Sequence, residues 1–333
     1  MRKTYHRDGG QKVIIVTGGA GFIGSCVVRA LNDMGIKDII IVDNINTTNK
    51  WLNIRNKRYI KYVHKSEFLS QLPTYENVSA IIHMGAQSST TEKDFDYLWK
   101  NNFEYTKTLW NYCTEKQISF IYASSAATYG NGKEGFDDQI DIDRLMPLNG
   151  YGYSKQLFDL WVTHQATTFP KQHVGLKFFN VYGPNEYFKG GMASMVFHGY
   201  KQIRENGVIR LFKSCNPCYA DGEQLRDFIY VKDICNVISW LLQNPQVSGL
   251  FNVGTGRAQS FNELAEATFH ALGLKPNIIY IEMPENLREK YQYYTKANIK
   301  QLINAGYSQE FMDLKTGIMD YVREYLDKDF AIY

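Results

Sequence analysis

Apolar and polar residues alternate along the chain in blocks that predict alternating strands and helices. The first block, Val13–Val16, contains β-branched residues and no polar interruption, which is typical of a strand buried on both faces. A cluster of glycines follows it. Apolar residues then recur at helical spacing from Phe22 to Met34. The sequence therefore begins with a predicted strand, a glycine turn and a helix.

This arrangement is the one that binds the pyrophosphate of a dinucleotide. Gly18 permits a tight turn, Gly21 lets the backbone approach the phosphates, and Gly24 lets the helix pack closely on the strand. The first N–H groups of the helix and its positive dipole end favour phosphate oxygens. Asp43 ends the next predicted strand at about the 20-residue offset at which an acidic residue binds the ribose. We therefore expect a dinucleotide cofactor.

Further apolar blocks predict an α/β fold, a Rossmann-type doubly wound parallel sheet with a smaller α/β substrate-binding lobe. Residues 13–184 are expected to form mainly the cofactor-binding domain, with later returns from about 226–256. Residues 185–330 are expected to form mainly a discontinuous substrate-binding lobe. Strands are predicted at 38–42, 78–83, 118–122, 173–179, 226–231 and 251–256, and helices at 90–113, 151–169, 194–205, 261–272 and 313–327.

Charge and cysteine content narrow the classes of partner. The net charge of +3 over 333 residues argues against nucleic acid as the main partner. Five scattered cysteines suit a reducing compartment, and no apolar run approaches the ~18 residues of a membrane span. The polar first residues lack the apolar core of a secretory signal. We expect a cytoplasmic protein that binds a small molecule.

No metal site is expected from the sequence. Cys215 and Cys218 form a C-x-x-C pair, but no second pair of ligands accompanies them at zinc-site spacing. A redox C-x-x-C normally opens a helix after a strand, whereas this pair lies in a polar segment. A surface loop is the preferred interpretation.

Residues after the second strand bear on the choice between NAD and NADP. An acidic residue such as Asp43 favours NAD, because it accepts hydrogen bonds from the ribose hydroxyls. Asn44, Lys50, Arg55 and Lys65 follow, and cations near the ribose favour the 2′-phosphate of NADP. Each of these cations taken alone is equally consistent with a solvated loop. NADP is the expected cofactor, and NAD is the alternative.

Two segments after the strand 78–83 are further cofactor candidates. Met84, Gly85, Ala86, Gln87 and Ser88 form a turn of mainly small residues against which a cofactor can lie. Asn101 and Asn102 stand in the middle of the next helical block. A buried amide is costly unless it is hydrogen-bonded, so one of the two is expected to anchor a loop or the cofactor.

A serine, a tyrosine and a lysine form the candidate catalytic set. Ser125 follows a predicted parallel strand at the end where this architecture binds ligands. Tyr151 and Lys155 are four residues apart and share one helix face. We expect the Lys155 ammonium to lower the pKa of the Tyr151 phenol, giving a base usable near neutral pH, and Ser125 to bind the substrate hydroxyl. Tyr153 has the wrong spacing to Lys155.

Residues of the second half are expected to face the substrate, in particular its nucleotide. These candidates are His198, Phe212, Lys213, Ser214, Cys215, Arg226 and Tyr291.

Several segments together resemble the extended short-chain dehydrogenase/reductase family, which holds sugar-nucleotide epimerases and dehydratases. The resemblance runs from about Val13 to about Leu326. The segments that carry it, besides the glycine turn and the Asn-Val-Tyr-Gly-Pro run that begins at Asn180, are Ser88–Glu92, Tyr122–Gly130, Tyr151–Lys155, Lys189–Ser194 and Phe251–Arg257.

The resemblance implies further site residues. It adds cofactor contacts from Phe22, Ile23, Tyr151, Lys155 and Val181, and substrate contacts from Asn180 and Gly191. It also implies that Lys189, which spacing alone would assign to a solvated loop, is a second catalytic group and contacts the cofactor.

The resemblance also implies an activity. It points to an isomerase that inverts the C6 carbinol of an ADP-linked sugar through a transient ketone, using bound NADP, in the supply of bacterial lipopolysaccharide precursors. It implies a homo-oligomer, for which a ring such as a pentamer is one form.

Other functions remain open at this point. A 4-epimerase or a dehydratase acting on another nucleotide sugar would share the whole first lobe. A dehydratase usually has an acidic residue beside the serine, where this chain has Ala126 and Ala127. A non-catalytic NADP-binding module would be expected to lack Tyr151 or Lys155, and a scaffold protein would need none of these residues.

Overall fold

The centre of the molecule is a seven-stranded parallel sheet. The computed structural model describes residues 12–164, 166–288 and 291–333. The strands of the sheet are β1 (Val13–Thr17), β2 (Ile39–Asp43), β3 (Lys61–His64), β4 (Val78–His83), β5 (Ser119–Ser125), β6 (Gln172–Phe178) and β11 (Gly249–Val253). Their order across the sheet is β3-β2-β1-β4-β5-β6-β11.

Six shorter strands form three two-stranded sheets in the second half of the chain, where β7 pairs with β10, β9 with β12, and β8 with β13. They are β7 (Asn180–Tyr182), β8 (Ile209–Phe212), β9 (Leu225–Arg226), β10 (Phe228–Tyr230), β12 (Gln259–Ser260) and β13 (Ile278–Ile281). β11 returns to the edge of the main sheet beside β6. The division into two lobes stays a prediction.

The described residues form the following helices. The α-helices are α1 (Phe22–Asp33), α2 (Lys65–Gln71), α3 (Phe95–Leu98), α4 (Tyr105–Lys116), α5 (Gly150–His164), α6 (Met195–Asn206), α7 (Val231–Gln243), α8 (Phe261–Ala271), α9 (Glu285–Arg288), α10 (Lys300–Asn304) and α11 (Leu314–Tyr321). The 3-10 segments are Asn49–Ile54, Leu72–Thr74, Ala126–Tyr129, Ile142–Arg144 and Gly190–Met192, and the π-helical segments are Trp99–Glu104 and Val322–Leu326. None of the helices described is both long and apolar enough to cross a membrane.

Both faces of the sheet are covered by helices. Side chains alternate between the faces of a strand, so Ile14 and Val16 of β1 join one core with α1, α7 and α11, while Ile15 joins the other with α4 and α5. Trp110 of α4 is fully buried in this second core. The predicted doubly wound Rossmann-type fold is confirmed.

The strand order places a ligand crevice between β1 and β4. From β1 the chain proceeds to β2 and β3 on one side, and to β4, β5 and β6 on the other. The connections leave the carboxyl ends of β1 and β4 in opposite directions, which opens a crevice at that point. The glycine turn follows β1 directly, so it lies at this crevice.

Three predicted elements differ from the structure. The helix expected to reach Phe169 ends at His164, and Phe169 precedes Pro170, a position that disfavours helical dihedrals. The helix expected from residue 90 begins at Phe95, because the Asp94 side chain accepts a hydrogen bond from the Tyr97 N–H and caps it.

The predicted strand 226–231 is divided at Asp227. Arg226 pairs with β12 and Phe228 pairs with β7. The buried Asp227 carboxylate between them accepts the N–H groups of Thr255 (2.7 Å), Gly256 (2.9 Å) and Ala297 (3.0 Å). This polar junction ends one pairing and begins the next.

Candidate active site

A cleft of about 800 Å³ opens at the carboxyl ends of the central strands. Its lining contains the cofactor residues predicted above except Arg55, together with Ser125 and Asn180 of the predicted substrate residues. The structure therefore brings together segments that are up to about half the chain apart in sequence. Their individual roles stay predictions.

The glycine turn fits a pyrophosphate through its backbone. Gly18 has φ +66°, and a Cβ at Gly24 would lie 2.1 Å from the Gly18 carbonyl oxygen. Larger residues would therefore push α1 away from the turn. Gly21 precedes α1, and no side chain caps this helix end. The first N–H groups of α1 can therefore donate to an anion in the cleft.

Asp43 is already engaged by neighbouring donors. Its carboxylate accepts the backbone N–H groups of Ala20 (2.9 Å) and Asn44 (2.6 Å), and the Lys50 ammonium at 2.9 Å. The Lys50 ammonium also donates to the Asn44 carbonyl at 2.8 Å. Asp43 thus supports the glycine turn and fixes Lys50 at the cleft wall.

Asn101 and Asn102 divide two tasks. The side-chain oxygen of Asn101 accepts a hydrogen bond from the Lys65 ammonium at 2.7 Å, and Asn101 and Lys65 both line the cleft. The buried Asn102 side chain accepts the Gln87 N–H at 2.9 Å and donates to the Gln87 carbonyl (3.0 Å) and the Ser154 hydroxyl (2.9 Å). The expected anchor is therefore Asn102, which joins the turn 84–88 to α5.

The π-helical segment Trp99–Glu104 carries both asparagines. A single π turn shifts the side-chain register of a helix, and such turns are frequent at functional sites. The sequence suggested a buried amide but gave no signal for the π turn.

Ser125, Tyr151 and Lys155 lie together in the cleft lining. The Tyr151 phenol is hydrogen-bonded to Ser125, which lowers its pKa, but burial has the larger effect and raises it. Burial lowers the pKa of Lys155 to about 8, and its ammonium donates to the Ala123 carbonyl at 2.9 Å. The predicted lowering of the Tyr151 pKa by Lys155 is therefore wrong for this structure.

A buried ion pair lies next to the residues Ser125, Tyr151 and Lys155. The Lys177 ammonium and the Asp159 carboxylate are 2.9 Å apart, and neither side chain is more than 1% exposed. Asp159 also accepts the Ser124 hydroxyl at 2.7 Å, next to Ser125, and its charge raises the pKa of Lys155. Asp159 lies one helical turn after Lys155, a spacing from which its contact with this region could have been expected.

Lys189 lies in the same cleft, on the loop between β7 and α6. Its ammonium is 5.8 Å from the centre of the Phe22 ring. Burial lowers the pKa of Lys189, and the negative charge of Glu186 opposes this shift. The structure therefore places a half-buried cation in the cleft, whereas the spacing of Lys189 in the sequence predicted a solvated lysine.

The structure does not bring the remaining predicted substrate residues into the cleft lining. These are Gly191, His198, Phe212, Lys213, Ser214, Cys215, Arg226 and Tyr291.

Two of them lie directly behind the cleft wall. The Arg226 guanidinium is 5.2 Å from the centre of the Tyr291 ring and 5.7 Å from that of Phe261. It donates to the backbone carbonyl of Gln292, a residue that lines the cleft. Sequence patterns gave no indication of Gln292.

The neighbouring residues face the surface. The Lys213 ammonium pairs with Glu282 at 2.8 Å, and both side chains are exposed. The Cys215 N–H donates to the Tyr293 hydroxyl at 3.1 Å, while the thiols of Cys215 and Cys218 are free and exposed. No metal site was predicted from the sequence. Within the described ranges one group offers metal-ligating atoms within 4.8 Å of one another, the exposed Asp141, Asp143 and His164.

Comparisons with known proteins identify the family to which this cleft belongs. Residues 14–254 match the model of the NAD dependent epimerase/dehydratase family. The chain is 52% identical over 329 residues to the ADP-L-glycero-D-manno-heptose-6-epimerase of Fusobacterium nucleatum subsp. nucleatum, covering 95% of this chain and 99% of that protein. It is 54% identical over 316 residues to the protein of the same name from Nitratidesulfovibrio vulgaris, covering 94% and 97%.

A solved structure agrees. The crystal structure of Helicobacter pylori ADP-L-glycero-D-manno-heptose-6-epimerase superposes with a TM-score of 0.78 at 27% identity, covering 94% of this chain and 96% of that one. The resemblance inferred from the sequence motifs is thus confirmed over nearly the whole chain. The chain belongs to the NAD-dependent epimerase/dehydratase family of extended short-chain dehydrogenase/reductases, and relatives named ADP-L-glycero-D-manno-heptose-6-epimerase match it over nearly its whole length.

Proposed function

We propose that this chain is an NADP-dependent 6-epimerase that interconverts ADP-D-glycero-D-manno-heptose and ADP-L-glycero-D-manno-heptose, in the supply of lipopolysaccharide core precursors. One observation carries the proposal. Two groups able to transfer protons, Tyr151 and Lys189, share one cleft with a dinucleotide-binding glycine turn. The names of relatives at 52% and 54% identity support the choice of sugar.

The chemistry explains why two such groups are useful. The carbon to be inverted bears a hydroxyl and no acidic C–H, so simple proton exchange cannot invert it. NADP held at the glycine turn would supply the missing chemistry, a nicotinamide able to accept a hydride from C6 and to return it to the opposite face of the ketone. Between these events the C6 oxygen changes position. One side chain cannot reach both positions at hydrogen-bond distance, roughly 2.6–3.2 Å.

The residues then take separate tasks. Tyr151 exchanges a proton with the C6 oxygen in one position, and Ser125, its hydrogen-bond partner, orients the hydroxyl. Lys189 exchanges a proton with the oxygen in the other position. Lys155 holds the nicotinamide ribose.

The charges at the cleft wall support NADP over NAD. The Asp43 carboxylate already accepts three hydrogen bonds, from Ala20, Asn44 and Lys50. It is therefore a poor acceptor for ribose hydroxyls. Lys50 and Lys65 line the same region and present two cations to a 2′-phosphate.

The environment of Arg226 supports the proposal that the substrate carries a diphosphate. Arg226 is 6% exposed, and no carboxylate pairs with it in the part of the chain that the structure describes. A buried guanidinium stacked on aromatic rings retains its charge for an anionic ligand. We place the ADP diphosphate beside Arg226, with Tyr291 and Phe212 close to the base.

The direct experiment is incubation with synthetic ADP-D-glycero-D-manno-heptose, followed by NMR assignment of the C6 configuration. The mass of any nucleotide that co-purifies identifies the cofactor. We expect the L epimer to accumulate, with NADP bound to the protein. No inversion at C6, together with inversion at C4 of a UDP-sugar, would instead support the 4-epimerase alternative.

We also propose that the chain forms a homo-oligomer. Tyr153 and Trp99 are large aromatic residues that remain 45% and 36% exposed in the single chain. Light scattering measures the mass, and a monomer at micromolar concentration would contradict this proposal.

A further inference from the structure

The loop that carries Lys189 is closed by a single carboxylate. This loop, residues 183–194, connects β7 to α6. One oxygen of Glu186 accepts the Gly183 N–H at 3.3 Å and the Ser194 hydroxyl at 2.7 Å. The other oxygen accepts the Ser194 N–H at 2.5 Å. Glu186 therefore ties together the first and last residues of the loop.

Lys189 lies inside the turn that Glu186 begins. The Lys189 N–H donates to the Glu186 carbonyl at 3.0 Å, and the Lys189 carbonyl accepts from Met192 at 3.1 Å. The side chain of Glu186 is fully buried, whereas Lys189 lines the cleft. Displacing the carboxylate would therefore displace the backbone from which Lys189 extends.

The negative charge of Glu186 also acts on Lys189, in opposition to the larger effect of burial. Hydrogen bonds to both oxygens of Glu186 favour the ionised carboxylate, in opposition to burial, which raises its pKa. The other titratable groups facing it are the Cys26 thiol on α1, the Tyr187 phenol in the loop and the Tyr321 phenol on α11. Burial raises the pKa of each of these three groups, so all remain neutral near pH 7.

No cation lies within ion-pair distance of Glu186 in the described ranges. Its negative charge is therefore not neutralised by a closer partner. In a site of low dielectric constant this charge favours the ammonium form of Lys189, against the effect of burial.

We propose that Glu186 is the positioning residue of Lys189: its carboxylate closes the loop 183–194 from which Lys189 extends, and its negative charge favours the ammonium form of Lys189. The consequence for catalysis rests on the proposed function, in which Lys189 serves the second position of the C6 oxygen. The effect of Glu186 on the protonation of Lys189 does not depend on that proposed function.

The test replaces the charge and keeps the shape with Glu186→Gln. Lysines are labelled with 13C at Cε in the full chain with NADP bound, and the Lys189 resonance is assigned by its loss in Lys189→Met. We expect the titration midpoint of Lys189 to move to lower pH in Glu186→Gln, because the ammonium loses its favourable neighbour. The alkaline limb of the kcat profile should move in the same direction.

Asp233→Asn is the matched control. Asp233 is a buried carboxylate that accepts a backbone N–H, from Met312 at 2.9 Å, and it does not line the cleft. Its replacement should leave the Lys189 midpoint unchanged. A shift equal to that of Glu186→Gln would show a general effect of lost stability and would contradict the proposal.

A second variant separates charge from loop closure. Glu186→Asp keeps the charge but is too short to bridge both ends of the loop, so we expect a smaller shift of the midpoint with a lower kcat. Glu186→Asp also provides the test if Glu186→Gln does not fold. A Lys189 midpoint and a kcat that both stay at wild-type values in either variant would overturn the proposal. If the wild-type chain does not invert C6, while Glu186→Gln still shifts the Lys189 titration midpoint, the proposed function alone is contradicted.

Discussion

The two sides of the cleft are built by different means. The cofactor side consists of strand ends and the turns directly after them, so its donors come from short continuous segments such as Gly18–Gly24 and Met84–Ser88. The substrate side is assembled from distant segments that carry Lys189, Arg226 and Gln292. Local sequence specifies the first side, whereas tertiary packing specifies the second.

The charges differ in the same way. On the cofactor side Lys50 is paired with the Asp43 carboxylate at 2.9 Å. On the substrate side the buried Arg226 and the half-buried Lys189 lie over aromatic rings, and among the described residues neither has a carboxylate within ion-pair distance. A cation without an ion-pair partner interacts more strongly with an anionic ligand. Substitutions on the substrate side should therefore weaken substrate binding more than substitutions on the cofactor side weaken cofactor binding.

The largest effect is expected at Tyr151, where the two sides meet. Tyr151→Phe removes only the hydroxyl and should lower the rate of epimerisation by about 10²–10⁴-fold, the usual contribution of general acid–base catalysis. NADP affinity and thermal stability should stay near wild type. Tyr153→Phe is the matched control, because Tyr153 is 45% exposed and stacks on Phe95 outside the cleft. Equal losses in the two variants would show that the assignment of Tyr151 is wrong.

The next largest effect tests the substrate side. Arg226→Met keeps the aliphatic stem and removes the charge, and we expect KM for the ADP-sugar to rise about 10- to 100-fold, the cost of losing a hydrogen bond to a charged group. NADP affinity should not change. The exposed Arg210, replaced by Met, provides the control. An unchanged KM in Arg226→Met would remove Arg226 from the substrate site.

A smaller effect is expected on the cofactor side. Lys50→Met should weaken NADP binding by about tenfold, since Lys50 is 25% exposed and its interaction with phosphate is partly screened. NAD binding should be unaffected or improve, because Asp43 then becomes free to accept ribose hydroxyls. Arg55→Met, on an exposed residue outside the cleft lining, is the control. An unchanged ratio of the two affinities would contradict the assignment of NADP to Lys50.

The smallest effect is expected at Lys213. The sequence placed it in the substrate site, whereas the structure shows a surface ion pair with Glu282. Because Lys213 is exposed and lies outside the cleft lining, Lys213→Ala should leave KM for the ADP-sugar near its wild-type value. A tenfold or greater rise in KM would restore Lys213 to the substrate site and weaken the contrast between the two sides.

The fold was predictable where the apolar pattern was strong. β4 has the predicted bounds, Val78–His83, because it is an apolar block that ends at a turn of small residues. The division of the strand 226–231 was not predictable, because it depends on Asp227 accepting N–H groups from residues 28 to 70 positions away. Contacts at such separation leave no periodic signal in the sequence.

The site shows the same limit. The predicted cofactor residues other than Arg55 line the cleft, since most of them follow strands whose carboxyl ends must meet. The pKa of Tyr151 could not be predicted from its spacing to Lys155, because the ammonium donates to the Ala123 carbonyl and burial raises the pKa of the phenol. Likewise, Lys189 resembles any loop lysine until the packing around it is known.

The central claim is that Tyr151 and Lys189 serve two positions of one oxygen in a single cleft. The most direct test measures C6 inversion of the ADP-heptose by Lys189→Met, together with its NADP affinity. We expect inversion to fall by at least about 10²-fold with NADP affinity unchanged, because only a proton-transfer group is lost. Inversion by Lys189→Met at near wild-type rate would contradict the claim and leave Tyr151 or water to supply the second proton.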